Sequence, residues 1–200
     1  MIVQRDTKNK ASFIMTMSQH TAFSSAICDN FGNQQFAEIV NPDLQFVVAN
    51  HDAGWTETDL KLEINQETGL PYHLTETPFP TIVNTMTRSP DFNTKHSDFS
   101  GLLSSMHSTG LLTGRYGLDK SPLIDKFSKP EQKVLIKIIH NELARQKTLK
   151  KKLKYHKDTI FSAYKSLQFF EDALEAVSYT HLRAHETRED LVCRSGLEKK

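Results

Sequence analysis

Apolar residues recur along this chain mostly with helical spacing. Phe13, Met17, His20, Ser24, Ile27 and Phe31 follow at alternating intervals of four and three, one stripe that predicts a helix over residues 12–31 stopped by Gly32. Leu44, Val47, Val48 and His51 repeat the pattern over residues 42–51, behind Pro42. A short helix is expected over 81–88, ahead of Ser89-Pro90. Phe99, Leu103, His107 and Leu111 stand at strict four-residue spacing and predict a helix over 97–112. Ser128 and Glu131 form a capping box at the head of a long helix whose expected apolar face is Leu135, Ile138, Ile139 and Leu143. A last helix starts near Asp158, with Ile160, Tyr164, Leu167 and Phe170 as its stripe. Residues 1–4 fit a short strand or an extended lead-in. Between Thr56 and Pro80 the periodicity fails in an acidic stretch with turn signals at 68–71, expected to be a lid or binding loop. The fold class is all-α, in a single helical domain.

Three of these stripes carry a histidine: His20, His51 and His107. His51 is followed directly by Asp52. Each carries a cost, because a buried polar group without a partner is destabilising. Either each is a separately satisfied core residue, or the four gather around one cation and satisfy one another. Imidazole nitrogen and carboxylate oxygen are both ligands for divalent first-row metals, so the second reading gives a metal site of His20, His51, Asp52 and His107. Adjacent residues on a straight helix point about 100° apart, and Gly54 is expected to supply the bend that presents the His-Asp pair. Trp55, just after that bend, either walls the pocket mouth or anchors the loop. His73, His96, His140 and His156 are expected outside the ligand set.

Composition narrows the class. The chain has 200 residues with 25 Lys/Arg and 24 Asp/Glu. Its last 24 residues read differently from the rest. Residues 177–187 resemble a translated frame of a transposon-type sequencing adapter, and residues 190–194 resemble the constant primer segment beyond its index. Residues 177–200 are therefore expected to be a non-native tail, either exposed or continuing the last helix without core contacts. Residues 1–176 would then be the informative domain, cut short at its C-terminal end. That tail holds five of the basic and four of the acidic residues, leaving twenty of each. A neutral balance points away from nucleic acid and from a charged membrane surface. Cys28 is the one cysteine outside the tail, which excludes a disulfide framework and fits a reducing cytoplasm. No apolar run approaches membrane-spanning length. The seven Lys/Arg between Arg145 and Lys157 read as a solvated helix face, or as a surface for an anionic partner.

His20 followed after 31 residues by His51-Asp52, with Gly54 next, resembles the opening of the HD-domain superfamily. More closely, the chain is similar to the bacterial family known as domain of unknown function 3891. The matching pieces are Gln19-His20-Thr21-Ala22, His51-Asp52-Ala53-Gly54-Trp55, residues 67–72, residues 103–111 and residues 164–170. The wider resemblance implies an HD-like helical bundle around one or two divalent metals, and in many members hydrolysis of phosphoesters or phosphoanhydrides. The superfamily pattern places an Asp on a later helix. This chain offers His107 there, with Asp98 nine residues earlier and His96 near the helix start.

Three imidazoles and one carboxylate suit zinc, iron or manganese better than magnesium. Three functions from different classes follow. The first is a metal-dependent hydrolase of a small phosphate-containing or other anionic substrate, with Arg115 as a substrate-binding residue or merely a capping one. The second is an iron-dependent oxygenase using the same ligands. The third is a non-catalytic metal or ligand sensor.

Overall fold

In the computed structural model the backbone is described for residues 1–5 and 11–182, and side chains for residues 1–3 and 13–172. Small residues decide the architecture. The segment following Ser97, whose side chain caps the next helix by accepting from the Ser100 amide, is rich in Ser, Thr and Gly between its leucines. It forms α5 (Asp98–Thr113), and every residue from Phe99 to Gly110 is buried. A helix covered on all sides must satisfy its hydroxyls internally. Ser100 Oγ donates to Asp43 O at 3.0 Å, Ser105 Oγ to Glu142 O at 3.3 Å, and Thr109 Oγ1 to Ser105 O. Gly110 lets Tyr164 pack directly on the α5 backbone, where a Cβ would collide with the phenol oxygen.

The other helices wrap this axis. These are α1 (Met17–Asp29), α2 (Pro42–Asn50), α4 (Phe79–His96), α6 (Lys129–Leu153) and α7 (Lys157–Leu182), with a short α3 (Thr56–Lys61) between α2 and α4. α4 and α6 flank α5, while α2 and α7 lie against it with α1. Two apolar clusters result. One joins α1, α2, α5 and α7 through Val47, Val48, Leu102, Leu103, Tyr164 and Leu167. The other joins α4, α5 and α6 through Ile82, Met86, Leu112, Leu135 and Ile138. The strands are minor: β1 (Ile2–Arg5) pairs antiparallel with β2 (Ala11–Met15), and β3 (Ile64–Asn65) with β4 (Leu70–Pro71). The chain is all-α, as its periodicity predicts. Among the described residues no helix is long and apolar enough to cross a membrane.

Four local expectations change. Residues 12–16 are not helical: β2 runs to Met15, Thr16 is the cap of α1, Phe13 is 43% exposed, and α1 begins only at Met17. The break is chemical. Thr16 and Gln19 exchange side-chain and backbone bonds at 3.0 and 2.9 Å, and Asp59 accepts from the Met17 and Ser18 amides. α1 also ends at Asp29, before Gly32.

The helix expected over 81–88 instead runs from Phe79 through Pro90 to His96. Pro90 removes one ladder hydrogen bond, but burial of Ser89, Pro90 and Asn93 and the bonds from Asn93 Nδ2 to Asn50 O and Ser89 O, both 2.9 Å, hold the helix through it. On α6, Leu143 is 45% exposed while Glu142 and Gln146 turn inward, because the facing surface of α5 is hydroxylic there. The 56–80 segment is more regular than expected, holding α3, the β3–β4 hairpin and a 3₁₀ turn at Leu74–Glu76. The backbone of α7 continues past Ala176 to Leu182. The expected exposure of the 177–200 tail falls outside the described residues.

Candidate metal centre

Each of the histidines arrives by a different helix. Asn41 caps α2 by accepting from the Leu44 amide, and Pro42 opens its first turn, so the helix ends on schedule with His51 as its C-terminal cap. The His51 ring is fully buried, and its Nδ1 lies 2.8 Å from Val48 O one turn back. Only a protonated Nδ1 satisfies a carbonyl oxygen, so this bond fixes the tautomer and leaves the Nε2 lone pair facing inward. α1 brings His20 Nε2 to 3.2 Å from His51 Nε2, with the rings edge to face. Asp52, already outside the helical conformation, places Oδ2 3.6 Å from the same His51 nitrogen. One ligand atom from each of His20, His51 and Asp52 lies within 4.8 Å of the others.

These separations match a coordination shell. With metal–ligand bonds of about 2.0–2.2 Å, neighbouring donors stand roughly 3 Å apart and opposite ones roughly 4.4 Å. The donor set fits a divalent ion: three groups that each offer a lone-pair atom within 4.8 Å of the others, one of them a carboxylate. His20 Nδ1 is buried with no hydrogen-bond partner, which leaves the Nε2 side to satisfy that ring.

His107 approaches this triad from α5. Its Nε2 is 4.0 Å from Asp52 Oδ1, and its ring centre is 5.2 Å from that of His51. It stands slightly outside the tight triad. Its other nitrogen is held from α7, where Glu171 Oε2 lies at 3.1 Å and the Gln168 side-chain amide also at 3.1 Å. A carboxylate behind a ligand histidine orients the ring and raises its basicity. Burial disfavours the His107 imidazolium, but the charge and hydrogen bond of Glu171 outweigh it, and the pKa rises above its ordinary value. Glu171 responds in kind: burial would raise its pKa, yet His107, His51 and Arg115 bring it down to about 2. His20 behaves oppositely, with burial first and His51 second lowering its pKa. It is therefore neutral, and ready to donate a lone pair, at a lower pH than His107.

Gly54 works differently from the expectation. Its φ is not in the left-handed region; the need is for space. A Cβ there would collide with Thr85 O and stand 2.8 Å from Ser89 Oγ, and its amide donates to that hydroxyl at 2.9 Å. The Asp52–Trp55 turn is thereby docked on α4. Trp55, 8% exposed, lines the cavity that opens onto the site, as does Arg115. This cavity has a volume of about 540 Å³ and reaches His20, Asp52, His107 and Glu171.

Arg115 follows the αL cap Gly114 and itself takes φ +49°. Its Nη1 grips Asp172 at 2.7 and 2.8 Å, and its Nη2 is 3.9 Å from Glu171 Oε1. The remaining candidates lie elsewhere. Asp98 faces Lys152 at 3.4 Å, about 13 Å along α5 from His107 by helical rise, so it does not complete the site. His96 stacks on Phe46 and pairs with Asp43, His73 Nδ1 lies 3.1 Å from the Thr75 amide, His156 pairs with Asp158, and His140 is exposed.

Glu171 was not foreseen. Its signal was there: Tyr164, Gln168 and Glu171 recur at four and three on the inward stripe of α7, two polar residues where apolar ones would be routine.

The family model described as Protein of unknown function (DUF3891) matches residues 1–189. The chain belongs to that family. The match begins at Met1 and covers the ligand triad, His107 and Glu171 together. No curated protein and no solved structure matches the chain.

Proposed function

We propose that this DUF3891 member is an HD-like metal-dependent hydrolase acting on a small phosphate-containing or otherwise anionic substrate. His20, His51, Asp52 and His107 would hold one iron, manganese or zinc ion. The observation that carries the reading is the convergence of three donors from α1 and the end of α2, two of which, His20 and Asp52, line the 540 Å³ cavity. Such an ion lowers the pKa of a bound water and polarises the scissile bond.

The chain's residues supply the rest. Val48 O holds the Nδ1 proton of His51, so that its ring presents Nε2, and Glu171 and Gln168 bracket the His107 Nδ1. Asp52 lends the negative charge that matches the cation. Arg115, clamped by Asp172, stands in the cavity wall where an anionic group would meet it. Trp55 and the Leu74–Glu76 turn close one side against water. Cys28 is buried and free, consistent with a cytoplasmic setting.

A second reading rests on the donor set itself. Three imidazoles with one carboxylate also suit an iron-dependent oxygenase. Release of nitrophenol from nitrophenyl phosphomonoesters and diesters, with manganese, iron or zinc added, separates the two. The hydrolase reading expects turnover that vanishes in Asp52→Asn. Metal-loaded protein inert toward both esters would contradict it, and substrate-dependent oxygen uptake would favour the second reading.

A further inference from the structure

The cavity is not uniform, and its asymmetry bears on what enters it. α4 and α5 line it along parallel faces. On α4, Ser89 lies beside the metal-binding turn, then come Met86 and Thr85, then Ile82, then Phe79. α5 contributes His107 and Leu111, and Arg115 follows just past its C-terminal cap. Leu123 and Phe127 also line it, and Phe79 packs on Phe127 with ring centres 5.6 Å apart. Part of the lining is thus a wall of the second apolar cluster, with the exposed Asp119, Ser121 and Lys126 along its edge. Phe79, Leu111, Leu123 and Phe127 are each only half-buried. Seven residues of α4 separate Ser89 from Ile82, a span of about 10 Å.

Charge gives a second, independent restriction. Among the described residues lining the cavity, the carboxylates are Asp52, Glu76, Asp119, Glu131 and Glu171, against Arg115 and Lys126 as cations. Arg115 is already matched by Asp172. A divalent ion bound by Asp52 would leave this lining negative. A polyphosphate would bring several further negative charges into that field, and its repulsion grows with each one. A single anionic head bound at the cation does not meet the same penalty.

Resting on the metal-site reading above, we propose that the substrate is amphipathic: one small, singly phosphorylated or carboxylate head at the metal, and an apolar body of about 10 Å along Met86, Ile82, Phe79 and Phe127. Nucleoside polyphosphates are excluded by charge, and small hydrophilic phosphoesters leave the apolar wall uncovered.

Calorimetric titration of the purified, metal-containing protein with methyl-, butyl- and octylphosphonate, and with inorganic triphosphate, tests this without requiring turnover. Each methylene buried on the wall is expected to tighten binding about fourfold, since burial of one contributes about 0.8 kcal/mol. Octylphosphonate should outbind triphosphate, and Phe127→Asp, at a half-buried position away from the ligands, should flatten the series. Affinity independent of chain length, or triphosphate binding tighter than octylphosphonate, overturns the inference. Metal content is measured on the same sample. Protein that holds metal but shows a flat series refutes the amphipathic substrate alone, whereas protein that takes up no metal refutes the site on which it rests.

Discussion

His51 and His107 are both buried imidazoles that face the same point, yet they are held there in different ways. His51 is oriented within one turn: its Nδ1 bonds Val48 O in its own helix, and its neighbour Asp52 is the next residue along. His107 is oriented across the fold, by Glu171 and Gln168 some sixty residues later in the chain on α7. The local arrangement forms whenever α2 forms. The distant one exists only when α5 and α7 pack. One half of the site is thus intrinsic to a helix end, and the other is a property of the tertiary structure.

The largest effects should come from the ligands. His51→Ala is expected to abolish measurable metal retention, and His107→Ala to weaken it less, because His107 lies outside the tight triad. Competition with a chromogenic chelator reads the difference. Equal losses would remove the distinction between the two histidines.

Glu171→Gln comes next. It keeps the shape behind His107 but withdraws the charge, and a tenfold to hundredfold fall in metal affinity is expected, about the range for residues that orient a ligand. Behind His51 the partner is instead a main-chain carbonyl. Unchanged affinity in Glu171→Gln would place His107 outside the metal site.

The pH dependence separates the apoprotein from the metal-bound form. His107 has a raised folded pKa, so its pairing stabilises the apoprotein fully below its ordinary 6.5 and fades as pH climbs through the raised value. Glu171 has a lowered one, so its contribution is full above its ordinary 4.5 and is lost as pH falls toward about 2. The pair therefore supports the apoprotein best between pH 4.5 and 6.5. Metal affinity should run the other way, rising with pH until His107 has lost the competing proton at Nε2. His20, with a lowered pKa, should add its own proton competition only at more acid pH. Titrating affinity against pH in the parent and in Glu171→Gln checks this: the variant's rise should begin at lower pH.

Gly54→Ala should be milder for the metal than for the fold. The added methyl meets Thr85 O, and a cost of about 1–3 kcal/mol is expected from overpacking, read as a lower thermal midpoint. The smallest effect is foreseen for Leu143→Ala, within about 0.5 kcal/mol, since that side chain is at the surface.

The same contrast explains how much could be read in advance. Features made by neighbours in sequence were legible: the 42–51 helix behind Pro42, the Ser128–Glu131 capping box, and the His51-Asp52 pair. The Thr16–Gln19 box was equally local, but the apolar period ran on through Phe13 and masked it. What depended on distant partners was not legible. Pro90 stays inside α4 because Asn93 bonds Asn50 O, 43 residues away. Glu142 displaces Leu143 from the interior because the α5 surface opposite is hydroxylic. Glu171 finds its meaning only against His107. Gly54 was recognised as necessary for the wrong reason, since close approach to α4 leaves no mark on the residues beside it.

The central claim is that His20, His51 and Asp52, with His107 beside them, bind one metal ion. Elemental analysis of the protein purified without added metal, alongside His51→Ala prepared identically, addresses it most directly. The account predicts close to one equivalent of iron, manganese or zinc per chain in the parent and nearly none in the variant. A folded parent protein that carries no metal and takes none up on exposure to all three, or a variant that retains the full equivalent, would contradict it.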